Sequence, residues 1–296
     1  MNKKISIIIL IIVVALALAI WATYSKPEKV EDSKLKIVTS FYPIYIMTSN
    51  LTKNVPDIEL VNMTEANVGC LHDYTISTTD MKKIEKADIY IQNGLGLESF
   101  IDKIILAYPE LKIIDSSVDI SNKIQDENEI NPHIWTSMEN YIKQVQTICQ
   151  KLCEYDGKNA EAYKANCESY VQKIDVEEQK YKEKLQKLNG EKAICLNEGL
   201  EYLLKELGMQ VTQVETNHEE STMSADTLKN LITKMKNENI QIIVVDKDDN
   251  TKNAETLANE TGAKIYKLDS GLTGEITSSA YIDKLEANFL VLESMV

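Results

Sequence analysis

Short apolar, β-branched runs at 36–40 (KIVTS), 58–63 (IELVNM), 88–92 (DIYIQ) and 111–115 (LKIID) alternate with stretches of helical periodicity near 43–53, 78–86, 97–107 and 137–154. Further along, runs at 192–196 (KAICL), 210–215 (QVTQVE), 240–246 (IQIIVVD) and 263–268 (AKIYKL) alternate with helical stretches near 198–207, 224–238, 251–262 and 278–293. Strands that alternate with helices are joined by crossovers rather than hairpins, so each half predicts a parallel α/β sheet. Between the halves, residues 159–189 contain no Gly or Pro, and Tyr163, Cys167, Tyr170, Ile174, Tyr181, Leu185 and Leu188 recur at steps of three, four or seven. That spacing predicts one amphipathic helix, roughly 46 Å long at 1.5 Å per residue, which is long enough to serve as a stiff spine. The expected fold is therefore α/β, with an N-terminal lobe over 35–157, a rigid linking helix over 158–190 and a C-terminal lobe over 191–296.

The amino terminus breaks the pattern. Residues 5–22 (ISIIILIIVVALALAIWA) carry no charge and follow Lys3 and Lys4, so 1–22 reads as an export signal or membrane anchor. The preceding lysines keep the amino terminus in the cytoplasm and send the rest outside. The small-residue stretch Ala17 to Ala19 lies inside the apolar run and no cysteine stands near the end of that run for a lipid anchor, which favours an uncleaved anchor. The polar stretch 23–34 with Pro27 reads as a tether. The chain is then membrane-tethered at the outer face of the cytoplasmic membrane, or periplasmic. A formal charge of −14 over 296 residues disfavours nucleic-acid backbones and suits an exported protein or one that handles cations. Five cysteines with no CxxC pair argue against both a disulfide framework and a zinc ribbon. Most are expected to be small buried hydrophobes.

In open parallel sheets, ligands bind beyond the carboxyl ends of the strands, where loops escape the packed layers. All three histidines fall on such loops: His72 after the second strand, His133 after the fourth, and His218 after the second strand of the other half. Asp246 ends its strand and emerges at the same kind of edge. Two lobes facing each other through these edges would bring His72 and His133 opposite Asp246. Neutral imidazoles with one or two carboxylates are the ligand set for zinc, or for manganese when oxygen donors predominate. Each histidine taken alone is more often structural.

The stretches IVTSFYPIY (37–45), HDY (72–74), DMKKIEKADIYIQNGLGLESFIDKII (80–105), NPHIW (131–135) and AETLANETGAKIYKLD (254–269) resemble the zinc-binding components of bacterial ABC importers, over nearly everything from Leu35 onward. The resemblance implies two α/β lobes joined by a rigid helix, one transition-metal ion in the cleft between them, delivery to an ABC permease, and no catalysis. It places ligands at His72, His133, Asn197 and Asp246, with Asp73 and Tyr74 as orienting or packing residues. Asn197 departs from the family, whose zinc-type members carry His there and manganese-type members Glu. Glu198 or His218 is the better donor to fill that place, ahead of Asn197, whose position before EGLEYLLKEL is that of an N-cap. Glu198 would need the start of its helix to shift. Cys70 stands two residues from His72 but is left outside the ligand set. The loop NKIQDENEI before His133 is acidic and lacks a histidine-rich run.

Two readings of other classes compete. The stretch NGLGLES follows a strand and precedes a helix, a partial dinucleotide fingerprint that would make the chain a nucleotide-binding enzyme. A metal-dependent hydrolase is the other, although no HExxH, GxSxG or P-loop motif is present.

Overall fold

The computed structural model describes residues 34–68, 71, 74–126, 129–214 and 223–296. The N-terminal apolar run and the tether up to residue 33 lie outside these, as do Cys70, His72, Asp73 and His218. Among the described residues, no helix is long and apolar enough to cross a membrane.

The first half runs β1 (Leu35–Thr39), α1 (Tyr42–Leu51), β2 (Ile58–Asn62), α2 (Thr78–Ile84), β3 (Ile89–Gln92), α3 (Ile101–Ala107), β4 (Lys112–Asp115), β5 (Gln125–Asp126), β6 (Glu129–Ile130) and α4 (Met138–Tyr155). After α5 (Ala160–Leu185) come β7 (Lys192–Cys195), α6 (Glu201–Glu206), β8 (Gln210–Gln213), α7 (Ala225–Glu238), β9 (Ile242–Asp246), α8 (Lys252–Thr261), β10 (Lys264–Leu268) and α9 (Ala280–Glu293). The strands form two four-stranded sheets of order β2-β1-β3-β4 and β10-β9-β7-β8, with every ladder in both parallel. Read from the other edge, the second order is β8-β7-β9-β10, so both halves share one topology with their switch point between the first and third strands. The small antiparallel pair β5-β6 is an addition the hydrophobic pattern did not predict.

The linking helix is 26 residues long, about 39 Å at the standard rise, and single 3-10 turns at Gly157–Asn159 and Gln186–Leu188 stand at its ends. The expected helix over 159–189 is thus shortened mainly at its carboxyl end, where Gly190 takes a positive φ. Its buried stripe, Tyr163, Cys167, Tyr170, Ile174 and Leu185, packs on α1 and α4 in its first part and on α9 in its last. The Tyr141 and Tyr170 hydroxyls share a 2.8 Å hydrogen bond near its middle, and Tyr181 tilts against Phe289 with ring centroids 5.2 Å apart. One hydrophobic cluster extends from the first sheet across α5 to the inner face of the second. Each fully buried aliphatic or aromatic side chain there contributes roughly 1.5–3 kcal/mol, so the spine is fixed to both lobes by the same core. A smaller cluster fills the outer face of the second sheet beneath α7 and α8.

Candidate metal centre

His133 sits at the entrance to α4, where the chain enters a 3-10 turn (Ile134–Thr136) and then the helix, capped by Ser137, whose side chain accepts the Asn140 N–H. Its ring is nearly inaccessible, the residue being 2% exposed, and it stands 5.0 Å from the Trp135 ring, centroid to centroid. Asn131 orients it. The Asn131 amide oxygen accepts the His133 backbone N–H at 3.0 Å and lies 2.9 Å from Nδ1, while the Asn131 amide nitrogen donates to the Glu198 carbonyl at 3.0 Å. With Nδ1–H donating to that oxygen, Nε2 carries the lone pair in the neutral ring. Asn131 was not singled out in the sequence, although it is the first residue of NPHIW.

Nε2 of His133 lies 3.9 Å from Oε1 of Glu198. Two donors held at 2.0–2.2 Å from one ion cannot be more than about 4.4 Å apart, so this separation is compatible with a shared cation. With the ring protonated, the same two groups form an ion pair. Glu198 reaches this position because residues Glu198–Leu200 form a 3-10 turn ahead of α6. The sequence predicted a helix from 198 onward, and the observed start differs: a 3-10 turn precedes α6, which begins at Glu201. Gly199 fits the cap closely: a Cβ there would fall 2.9 Å from Oδ1 of Asn197, the oxygen that accepts the Gly199 N–H.

Both polar atoms of the Asn197 side chain are engaged within the protein. Its oxygen accepts the Gly199 N–H at 2.9 Å as the cap of the 3-10 turn, and its nitrogen donates to Oδ2 of Asp249 at 2.8 Å. Asp246, at the end of β9, is 5% exposed. Its Oδ1 accepts the Asp248 N–H at 2.9 Å and its Oδ2 the Ser270 N–H at 2.8 Å. Burial raises its pKa against the pull of these hydrogen bonds. A carboxylate kept ionised at such a site gains from a cation. β7 and β9 are neighbours at the switch point of the second sheet, so Asn197, Glu198 and Asp246 all leave it at the crevice where ligands of open α/β sheets bind.

Tyr74 is a packing residue: its hydroxyl donates to Asp80 at 2.7 Å and its ring meets Phe100 edge-on. Cys149, Cys167 and Cys195 are buried, and Cys153 is half-buried. Among the described residues, no group of three or more His, Cys, Asp or Glu side chains is arranged to hold a metal ion. His72, His218 and Cys70 lie outside the described residues.

The glycine-rich turn of NGLGLES has a different use from the one its spacing suggested. Glu98, completely buried, accepts the backbone N–H groups of Asn93 at 2.8 Å and Gly94 at 3.1 Å. An internal carboxylate occupies the amides a phosphate would need. A Cβ on Gly94 would fall 2.1 Å from Oδ1 of Asp115, which is why glycine stands there. The Asn93 amide in turn donates to the Pro132 carbonyl at 2.9 Å, so the turn supports the loop that carries His133.

Residues 37–295 match the family described as zinc-uptake complex component A, periplasmic. The chain is 26% identical over 280 residues to the high-affinity zinc uptake system protein ZnuA of Bacillus subtilis, covering 88% of this chain and 87% of that protein. It is 25% identical over 312 residues to the zinc-binding lipoprotein AdcA of Streptococcus pneumoniae, covering 98% of this chain but only 60% of that longer protein. Among solved structures, the SBP FpvC of Pseudomonas aeruginosa in complex with Ni2+ superposes with a TM-score of 0.78 at 26% identity, over 88% of this chain and 96% of that one. With its family match running almost from the first strand to the end of the last helix, the chain belongs to the zinc-uptake complex component A family.

Proposed function

We propose that the chain is an extracytoplasmic receptor that captures one zinc ion in the cleft between its lobes and delivers it to an ABC permease, without chemical turnover. The observation that carries this reading is the facing pair His133 and Glu198, with Nε2 and Oε1 3.9 Å apart, in a member of a zinc-uptake family. The proposed ligands are His133, Glu198, Asp246 and His72, with His218 as the alternative donor. Asn197 is assigned to capping rather than ligation, because its amide oxygen already accepts the Gly199 N–H. The proposed ligands bind the ion rather than activate water. The apolar amino-terminal run would hold the receptor at the outer face of the membrane, next to the permease.

Manganese is the second reading, favoured by a specific feature: with Glu198 in the shell, two carboxylates accompany the imidazoles, a more oxygen-rich set than zinc requires. Native mass spectrometry of the metal-stripped chain, titrated in turn with zinc and manganese, separates the two. One zinc per chain that manganese does not displace supports the zinc receptor, and preferential retention of manganese supports the other. No bound metal of either kind would refute both.

A further inference from the structure

The loop that follows β10 is held from both lobes. On its own side, the Asp269 N–H donates to Oδ1 of Asn288 at 2.8 Å, and the Asn288 amide donates to the Asp269 carbonyl at 2.9 Å. Lys247 pairs with Oδ2 of Asp269 at 2.9 Å and Lys284 with Oδ1 at 3.3 Å. Lys284, half-buried, also donates to the Thr273 carbonyl. The loop therefore moves with β9 and α9 as one arm of the C-terminal lobe.

Two side chains of the N-terminal half reach across to this arm. Nε1 of Trp135 donates to the Ser270 carbonyl at 2.9 Å, and the Tyr42 hydroxyl donates to the Glu275 carbonyl at 2.8 Å. The approach of Tyr42 is close enough to require bare backbone: a Cβ on Gly274, whose φ is +157°, would meet the Tyr42 hydroxyl at 2.7 Å. Ser270 is the junction. Its N–H donates to Oδ2 of Asp246 at 2.8 Å while its carbonyl receives Trp135, and the Trp135 ring lies against His133. Swinging the arm away from the N-terminal half would break the Trp135 bond and carry Ser270 away together with the Asp246 carboxylate that it aims.

We infer that Trp135 and Tyr42 are positioning residues that slow metal release by clasping the 269–275 loop, so that opening the cleft and withdrawing Asp246 from the ion become one motion. The inference rests on the receptor reading above and adds residues that touch no metal. Neutral hydrogen bonds of this kind change an equilibrium by roughly 2–10-fold each, and a bond broken on the way to opening appears in the dissociation rate.

The test is stopped-flow release of zinc from the full chain into excess chelator, with association measured separately. Trp135→Phe keeps an aromatic ring and removes the N–H, and Tyr42→Phe removes only the hydroxyl. Each is expected to raise the dissociation rate roughly 2–10-fold with association unchanged. Tyr281→Phe is the control, since the Tyr281 hydroxyl lies on the same interlobe cavity, buried and, among the described residues, without a hydrogen-bond partner. It should leave both rates alone. Release rates for Trp135→Phe and Tyr42→Phe equal to that of Tyr281→Phe, with zinc still bound by the unsubstituted chain, would overturn the clasp. An unsubstituted chain that binds neither zinc nor manganese would overturn the receptor reading, and the clasp with it.

Discussion

At the scale of single residues, the neighbours Asn197 and Glu198 face different partners, Asn197 its own turn and Asp249, Glu198 the His133 ring. Asn197 caps a turn, and its replacement by Ala is expected to cost about 1 kcal/mol of unfolding free energy, measured by urea denaturation of the metal-free chain. Its effect on metal affinity should be small by comparison. Glu198→Gln is expected to do the reverse, weakening zinc at least 10-fold in a competition titration while leaving stability nearly unchanged, because the side chain is about one-third exposed and its charge faces the cleft. Equal affinity in Glu198→Gln and the unsubstituted chain would remove it from the ligand set. The capping role of Asn197 was legible in the sequence, since Asn before a helical run is a common N-cap. The direction of Glu198 was not, because a 3-10 turn and an α-helix share the same residues but differ in where the second side chain points. Asn131 and Ser270 escaped for a related reason: they act through an amide and a backbone N–H, neither of which marks a sequence.

At the scale of elements, strand and helix order was legible throughout because hydrophobic periodicity switches cleanly between the two. The short hairpin β5-β6 was not, since QDENEI offers no alternation to read. The glycine turn after β3 was legible as a turn but ambiguous in purpose until Glu98 was placed beneath it. Burial raises the Glu98 pKa from its ordinary 4.5 to about 7, against the hydrogen bonds from the Asn93 and Gly94 N–H groups that favour the ionised form. A carboxyl with a raised folded-state pKa binds its proton more tightly when folded, so its contribution to stability is full below about pH 4.5 and falls as the pH rises to about 7. The loss is on the order of 3 kcal/mol. Glu98→Gln cannot ionise, so its stability relative to the unsubstituted chain should improve by that order between pH 5 and 8, read from urea denaturation of the metal-free protein. A difference that does not vary with pH would show that Glu98 keeps an ordinary pKa in the folded protein.

At the scale of the whole molecule, two sheets of identical strand order flank one helix that shares a core with both. Such a frame limits how far the lobes part, so opening the cleft is a small movement of the C-terminal arm against the N-terminal half. The repeated α/β architecture was legible from the strand and helix pattern, whereas the strand order and the cross-lobe hydrogen bond between Trp135 and Ser270, 135 residues apart, are encoded by no local pattern. Metal affinity of the whole receptor should fall as the pH drops from 7.5 to 5.5, because a protonated imidazole has no lone pair to donate. An affinity that stays flat across that interval would contradict histidine ligation. The central claim, that one ion is held by histidine and carboxylate groups in the cleft, is tested most directly by zinc K-edge X-ray absorption of the loaded chain and its His133→Ala variant. A first shell of nitrogen and oxygen alone near 2.0–2.2 Å is expected, with imidazole scattering reduced in the variant. A sulfur shell near 2.3 Å, or spectra identical in the two proteins, would contradict it.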